Sequence, residues 1–88
     1  MKPIESETTA NGEFYNSPEK CVKWLVEYFI TDKDYYLPQQ KWCLLLLESA
    51  IYIMKSNEIA KTIACGKEYG IGELTDMAKD AAERIRSH

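Results

Sequence analysis

WCLLLLESAIYIM, residues 42–54, is the stretch that decides the fold of this 88-residue chain. Eleven of its thirteen residues are apolar, and only Glu48 and Ser49 interrupt them. As a helix the stretch is about 20 Å long, which is shorter than the roughly 20 residues that a membrane span requires. A helix that is apolar nearly all round must be covered by protein. We therefore predict a buried core helix and no membrane partner.

Pro38 marks the start of this core helix, because a proline disfavours the helical conformation in the residue before it. Downstream, no glycine or proline occurs before Gly66. Polar residues at seven-residue spacing continue through the region, namely Lys41, Glu48, Lys55 and Thr62. The pattern favours one helix over 38–69. A bend or break near 56–57 is the alternative, because asparagine is a poor residue for a helix interior.

Two further helices are predicted on either side of the core helix. Ser17-Pro18-Glu19 is typical of a helix start, since serine can accept a backbone hydrogen bond and proline suits the first turn. This helix runs over 18–30 and is apolar over most of its circumference. The last helix, over 73–86, has apolar residues at three-and-four spacing: Leu74, Met77, Ala78, Ala81, Ala82 and Ile85. Gly70 is expected to end the preceding helix in a left-handed conformation.

The first sixteen residues show no apolar period and combine proline, glycine and three glutamates. They are predicted to form a mobile tail, 1–16, in which Phe14 and Tyr15 either dock on the core, the favoured interpretation, or await a partner. Residues 17–88 form a single domain, because so short a chain can fill only one core. The predicted fold is all-α, a small bundle of three helices, or of four if the middle helix breaks.

Charge and cysteine content limit the class of protein. The chain has 11 Lys and Arg against 14 Asp and Glu, a net charge of -3. Mixed charges of this kind provide no surface for phosphate groups, so a helix-turn-helix over 58–86 that binds nucleic acid is a disfavoured alternative. Cys21, Cys43 and Cys65 are an odd number of cysteines, and we expect no signal peptide. We expect free thiols and a cytoplasmic location.

The motifs that could support catalysis are weak. Residues 66–72, GKEYGIG, match the spacing of a dehydrogenase phosphate loop, but that loop requires a strand before it and a large parallel sheet. We interpret the glycines as a break between helices. Structural zinc requires four Cys or His ligands, and His88 is the only histidine, so we expect no zinc site. A cysteine nucleophile requires a base within hydrogen-bond reach, and the terminal His88 is poorly placed to supply one. We expect no enzymatic activity, no metal and no cofactor.

Glu27 and Glu48 are the carboxylates that interrupt the two most apolar helices. They could face each other or a ligand, but the simpler interpretation is that each marks the solvent-facing stripe of its helix. Lys23 and Glu27 lie four residues apart, as do Asp80 and Arg84. This spacing predicts surface ion pairs along each helix.

Three short helices cannot cover the apolar circumference of the first two, so we expect contacts with another chain. The interface candidates are mainly aromatic or small residues, namely Trp24, Tyr28, Tyr35, Tyr36, Trp42, Met77 and Ala81. The leading hypothesis is a homo-oligomeric regulatory or inhibitory protein, of bacterial or mobile-element origin, that docks to a protein partner. The rival hypothesis is a helical oligomer that binds a small ligand such as a nucleotide through Lys33, Tyr35, Tyr36, Lys41 and Trp42.

Overall fold

The computed structural model describes residues 17–87 as three helices and a two-stranded sheet. In chain order these are α1 (Pro18–Asp32), α2 (Leu37–Ser56), β1 (Lys61–Ala64), β2 (Lys67–Gly70) and α3 (Ile71–Arg86). The predicted class, a small helical fold with three helices, is confirmed. The predicted tail, with Phe14 and Tyr15, lies outside the described residues.

α1 begins as its sequence indicates. The Ser17 hydroxyl accepts a hydrogen bond from the backbone N–H of Lys20 at 3.4 Å, and Pro18 occupies the first turn. The buried residues of α1 recur at helical spacing and form one face: Val22, Leu25, Val26 and Phe29. This face packs against α2, which places α1 on one side of the core.

α2 ends at Ser56, so the prediction of a single helix over 38–69 is wrong and the predicted break near 56–57 is correct. Glu58 adopts a left-handed conformation with φ of 57°. The backbone N–H of Ile59 then donates to the Met54 carbonyl at 2.8 Å. This geometry closes the last turn in the way a glycine usually does. Half-buried Ile59 packs against the core, which holds Glu58 in its unusual conformation.

The chain after α2 forms a hairpin, not a helix. β1 and β2 are antiparallel, Ala64 is opposite Lys67, and the loop is Cys65-Gly66. Both loop residues have positive φ, 51° and 78°, as a type I′ turn requires. The side chains of β1 alternate, with Thr62 and Ala64 buried. This two-residue alternation indicates a strand, but in the sequence it overlaps the polar residues at seven-residue spacing, which favoured a helix.

Gly70 does not terminate a helix. It has φ of −92° and ψ of 170°, which is an extended conformation, and it caps the start of α3. The Glu73 carboxylate accepts a hydrogen bond from the Gly70 N–H at 3.1 Å. α3 therefore begins two residues before the predicted boundary. Its amphipathic pattern is confirmed, with Leu74, Ala78 and Ala81 buried against the core.

Glu27 fastens the hairpin to α1. Its carboxylate accepts hydrogen bonds from Lys23 Nζ at 2.7 Å and from the Cys65 N–H at 3.1 Å. Lys23 Nζ also lies 3.5 Å from the Ile63 carbonyl oxygen. The hydrogen bond from Lys23, followed by that from the Cys65 amide, holds the pKa of Glu27 below its ordinary value. The predicted Lys23–Glu27 pair thus also positions the turn.

The hairpin turn can be tested by two glycine substitutions. Gly66→Ala is expected to destabilise the protein by roughly 1–2 kcal/mol, because an L residue is strained at left-handed φ. Gly72→Ala, in α3 with open space around it, is expected to stabilise by up to about 1 kcal/mol. Urea denaturation of both variants measures the difference. Stabilisation by Gly66→Ala would instead indicate that this segment is helical.

The anchoring of the hairpin should depend on pH. Glu27→Gln is expected to lower the free energy of unfolding by about 1 kcal/mol at neutral pH. Because folding depresses the pKa of Glu27, its contribution is present above the unfolded pKa of about 4.3 and is lost as pH falls through the folded value. The difference between wild type and variant should therefore close on acidification. Denaturation at several pH values, with Glu83→Gln as the control, measures this; a constant difference would contradict it.

Candidate interaction surface

One side of α2 is apolar and faces away from the core. Trp42, Leu45 and Tyr52 lie on it with exposed fractions of 50%, 56% and 72%. With Ser49 they follow a spacing of three, four and three, which places them on one face of a helix. We call this set, Trp42, Leu45, Ser49 and Tyr52, the α2 outer face.

The opposite side of the same helix explains this exposure. Cys43, Leu47, Ala50 and Met54 are fully buried there. α1 and α3 both pack against α2, and these four residues belong to the single core cluster that the helices share. Because both neighbours meet the helix on its core side, residues 17–87 leave the large side chains of the α2 outer face half exposed or more.

Ser49 lies in the middle of the outer face without requiring a polar partner. Its hydroxyl donates to the Leu45 carbonyl at 3.0 Å, so its hydrogen bond is satisfied within the helix. The side chain is small, and it separates Leu45 from Tyr52. The outer face therefore consists of large apolar side chains with a shallow gap between them, which can receive a side chain from another surface.

A charged edge runs along one side of the α2 outer face. Lys41, Glu48 and Lys55 are seven residues apart and are all exposed, which places them in line along the helix. Among residues 17–87, none of the three has an ion-pair partner within 4 Å. Two of the three, Glu48 and Lys55, also line a cavity between α2 and α3 that includes Lys79.

The loop between α1 and α2 carries the exposed tyrosines. Tyr35 and Tyr36 are each 61% exposed, and their rings meet edge to face with centroids 5.3 Å apart. Asp34 ties this loop to α3 through Arg84 Nη1 at 3.2 Å. The hydrogen bond from Arg84, with the charge of Lys33 beside it, lowers the pKa of Asp34. The tyrosines therefore stand on an anchored loop next to the start of α2.

The remaining predicted interface residues lie elsewhere in the fold. Trp24 contacts Tyr28 with ring centroids 5.5 Å apart, on the exposed side of α1. The Tyr28 hydroxyl accepts a hydrogen bond from Gln39 Nε2 at 3.0 Å, which links α1 to α2. Met77 is half-buried against the core and Ala81 is buried in it. These last two residues take part in packing within the chain.

The residues of the ligand hypothesis cluster near the start of α2, and of the five only Lys33 lines a cavity among the described residues, one of about 80 Å³ between α1 and α3. Lys33, Tyr35 and Tyr36 belong to the α1–α2 loop, and Lys41 and Trp42 to the first turns of α2. One cavity, of about 550 Å³, lies between the start of α1 and the hairpin, and another, of about 280 Å³, lies between α2 and α3. None of the five ligand candidates lines either cavity.

Leu45 and Tyr52 are the residues of the surface that sequence reasoning did not single out. The signal was present, because positions 42, 45, 49 and 52 share one helical face. This period could not be recognised in the sequence because most of the neighbouring positions around the helix are also apolar. Choosing the outer face required knowing where α1 and α3 pack.

The three cysteines are free thiols in different surroundings. Cys43 is buried in the core and Cys21 is half-buried, and burial raises the pKa of both thiols. Cys65 is exposed in the hairpin turn. Among residues 17–87, no cluster of three or more Cys, His, Asp or Glu side chains is arranged to hold a metal ion.

Comparison with models of protein families, with curated proteins and with solved structures found no match for this chain. Within residues 17–87, no helix combines the length and apolar character needed to cross a bilayer. The function must therefore be inferred from the geometry of the surface itself.

Thiol labelling provides a test of these burial differences. With iodoacetamide under native conditions, Cys65 is expected to react first and Cys43 at least about tenfold more slowly, because a buried thiol reacts only after local opening. Mass spectrometry of peptides from partly labelled protein identifies the sites. Cys65→Ser should remove the fast phase, whereas labelling in denaturant should reach all cysteines. Equal native rates for Cys43 and Cys65 would contradict the structure.

Proposed function

We propose that this chain is a non-enzymatic interaction module that docks to another protein chain through the α2 outer face. The observation that carries the proposal is that three large apolar side chains, each at least half exposed, are aligned on one helix face: Trp42, Leu45 and Tyr52. Burying such a side chain contributes roughly 1.5–3 kcal/mol. Water-exposed apolar surface concentrated on one face is typical of sites that bind a partner.

The composition of the face favours a protein as the partner. Tryptophan and tyrosine are enriched among the residues that contribute most to protein interfaces. Lys41, Glu48 and Lys55 border the face with both signs of charge, whereas a phosphate backbone would require a basic surface. The polar edge and apolar centre together resemble the rim and core of a protein interface.

A chain that docks in this way would act by occupying or completing a surface of its partner. This is the mode of action of homo-oligomeric regulatory and inhibitory proteins, and it requires no catalytic group on the docking face. The loop tyrosines, Tyr35 and Tyr36, extend the apolar surface beyond the start of α2. They would enlarge the contact area without altering the core.

Two matched substitutions test this function. Leu45 and Ile63 are 56% and 58% exposed, but only Leu45 lies on the α2 outer face. Leu45→Arg is expected to raise the dissociation constant for self-association or for a host protein at least about tenfold. Ile63→Arg is expected to leave it unchanged. Sedimentation equilibrium measures self-association, and retention of host proteins on each immobilised variant measures partner binding.

The proposal requires the two variants to differ while both remain folded. Circular dichroism and thermal melting establish that each retains its helices. If Leu45→Arg and Ile63→Arg associate identically, in solution and on the host-protein column, the α2 outer face is not a docking site.

A further inference from the structure

We infer that the occupant of the α2 outer face is a second copy of this chain, docked antiparallel so that Lys41 of each copy faces Glu48 of the other. This inference rests on the proposed function and names its partner. It follows from two features of one helix: charges of opposite sign that form no ion pair among residues 17–87, and an apolar surface whose shape fits its own inverted copy.

The charges set the register. The midpoint between Lys41 and Glu48 along the helix lies between Leu44 and Leu45. A two-fold axis that is perpendicular to the helices at this midpoint brings each Lys41 level with the partner's Glu48. Within one helix, seven residues separate the two by about 10 Å along the axis. At that separation the two side chains do not pair with each other, and neither forms an ion pair among the described residues. Both groups are therefore available to pair with a second copy. One symmetric contact would form two ion pairs.

The apolar residues fit the same register. Leu45 lies beside the axis and meets the partner's Leu45. Trp42 comes level with the partner's residue 47, midway between Leu45 and Ser49, where the small serine leaves room for the indole ring. The Ser49 hydroxyl is already bonded within its own helix, so covering it leaves no polar group unsatisfied.

The ends of the helices also meet in this register. Tyr52 comes level with the partner's residue 37, next to Tyr36, which is exposed. Antiparallel helices place the positive end of each helix dipole beside the negative end of the other, which is favourable. The loop tyrosines, each 61% exposed in the described part of one copy, would gain cover here.

Other arrangements of two copies fit less well. A parallel pair related by a two-fold axis along the helices places the charged edges of the two copies on opposite sides of the contact, so Lys41 and Glu48 form no ion pair across it. An antiparallel pair that joins Glu48 to Lys55 centres between residues 51 and 52. Trp42 would then be level with residue 61, beyond the end of the partner's α2 at Ser56. Only the Lys41–Glu48 register covers Trp42 and Leu45 and matches the charges.

A charge-exchange experiment tests the inference. Lys41→Glu alone and Glu48→Lys alone each create two repulsive contacts per pair of copies, and each is expected to weaken self-association about tenfold or more. An equimolar mixture of the two single variants is expected to form heterodimers with at least wild-type affinity, because both contacts become attractive again. The double variant Lys41→Glu/Glu48→Lys should also recover. Sedimentation velocity and native mass spectrometry provide the readouts.

Lys67→Glu is the control, since it makes the same charge change on the hairpin, away from α2. It should leave self-association unchanged, and thermal melting confirms that every variant is folded. A wild-type chain that stays monomeric at micromolar concentration would overturn the inference. So would single variants that associate no better when mixed than alone.

These outcomes separate this inference from the proposed function. If charge exchange fails but Leu45→Arg still abolishes binding to a host protein that Ile63→Arg retains, the partner is another protein and the docking face stands. If Leu45→Arg and Ile63→Arg are indistinguishable, the docking face itself is wrong.

Discussion

The core of the molecule forms where α1 and α3 both pack on the same side of α2. Cys43, Leu47, Ala50 and Met54 fill that side completely, and the flanking helices contribute their own apolar faces to it. Two neighbours cannot cover a helix that is apolar over most of its circumference. The same packing that buries one side of α2 therefore leaves the other side exposed among residues 17–87. Both the stability of the fold and the exposed α2 outer face follow from this geometry.

The hairpin makes the arrangement possible by carrying the chain from the end of α2 to the start of α3. β1 packs against α1, and β2 leads directly into α3. Glu27 and Lys23, on the polar stripe of α1, fix the turn through its backbone. A carboxylate that appears in the sequence as an interruption of an apolar helix thus has a structural role. Glu48, the equivalent interruption in α2, has no ion-pair partner among the described residues and belongs to the charged edge of the outer face.

The aromatic residues divide into two groups. Tyr28 joins α1 to α2 through Gln39 and contacts Trp24, so it contributes to the internal order of the bundle. Tyr35, Tyr36, Trp42 and Tyr52 lie along the start and the outer face of α2 and remain exposed. An aromatic residue contributes most to binding when a partner excludes water from it. In the proposed docking mode, the second group, at the start of α2 and on its outer face, would supply this contact.

Local signals in the sequence determined the three helices, the start of α1 at Ser17-Pro18, the buried face of α3 and the excess of apolar surface. These depend on residues within a few turns of one another, so composition and period are sufficient to predict them. The end of α2 could not be read in this way, because Glu58 adopts a left-handed conformation that is stabilised by Ile59 packing on the core. The hairpin was missed for a related reason, since its two-residue alternation is short and coincides with a longer polar stripe. Which apolar side of α2 faces outward was decided only by the tertiary structure, because a helix that is apolar on both sides of a narrow charged edge carries no local mark of where its neighbours will lie.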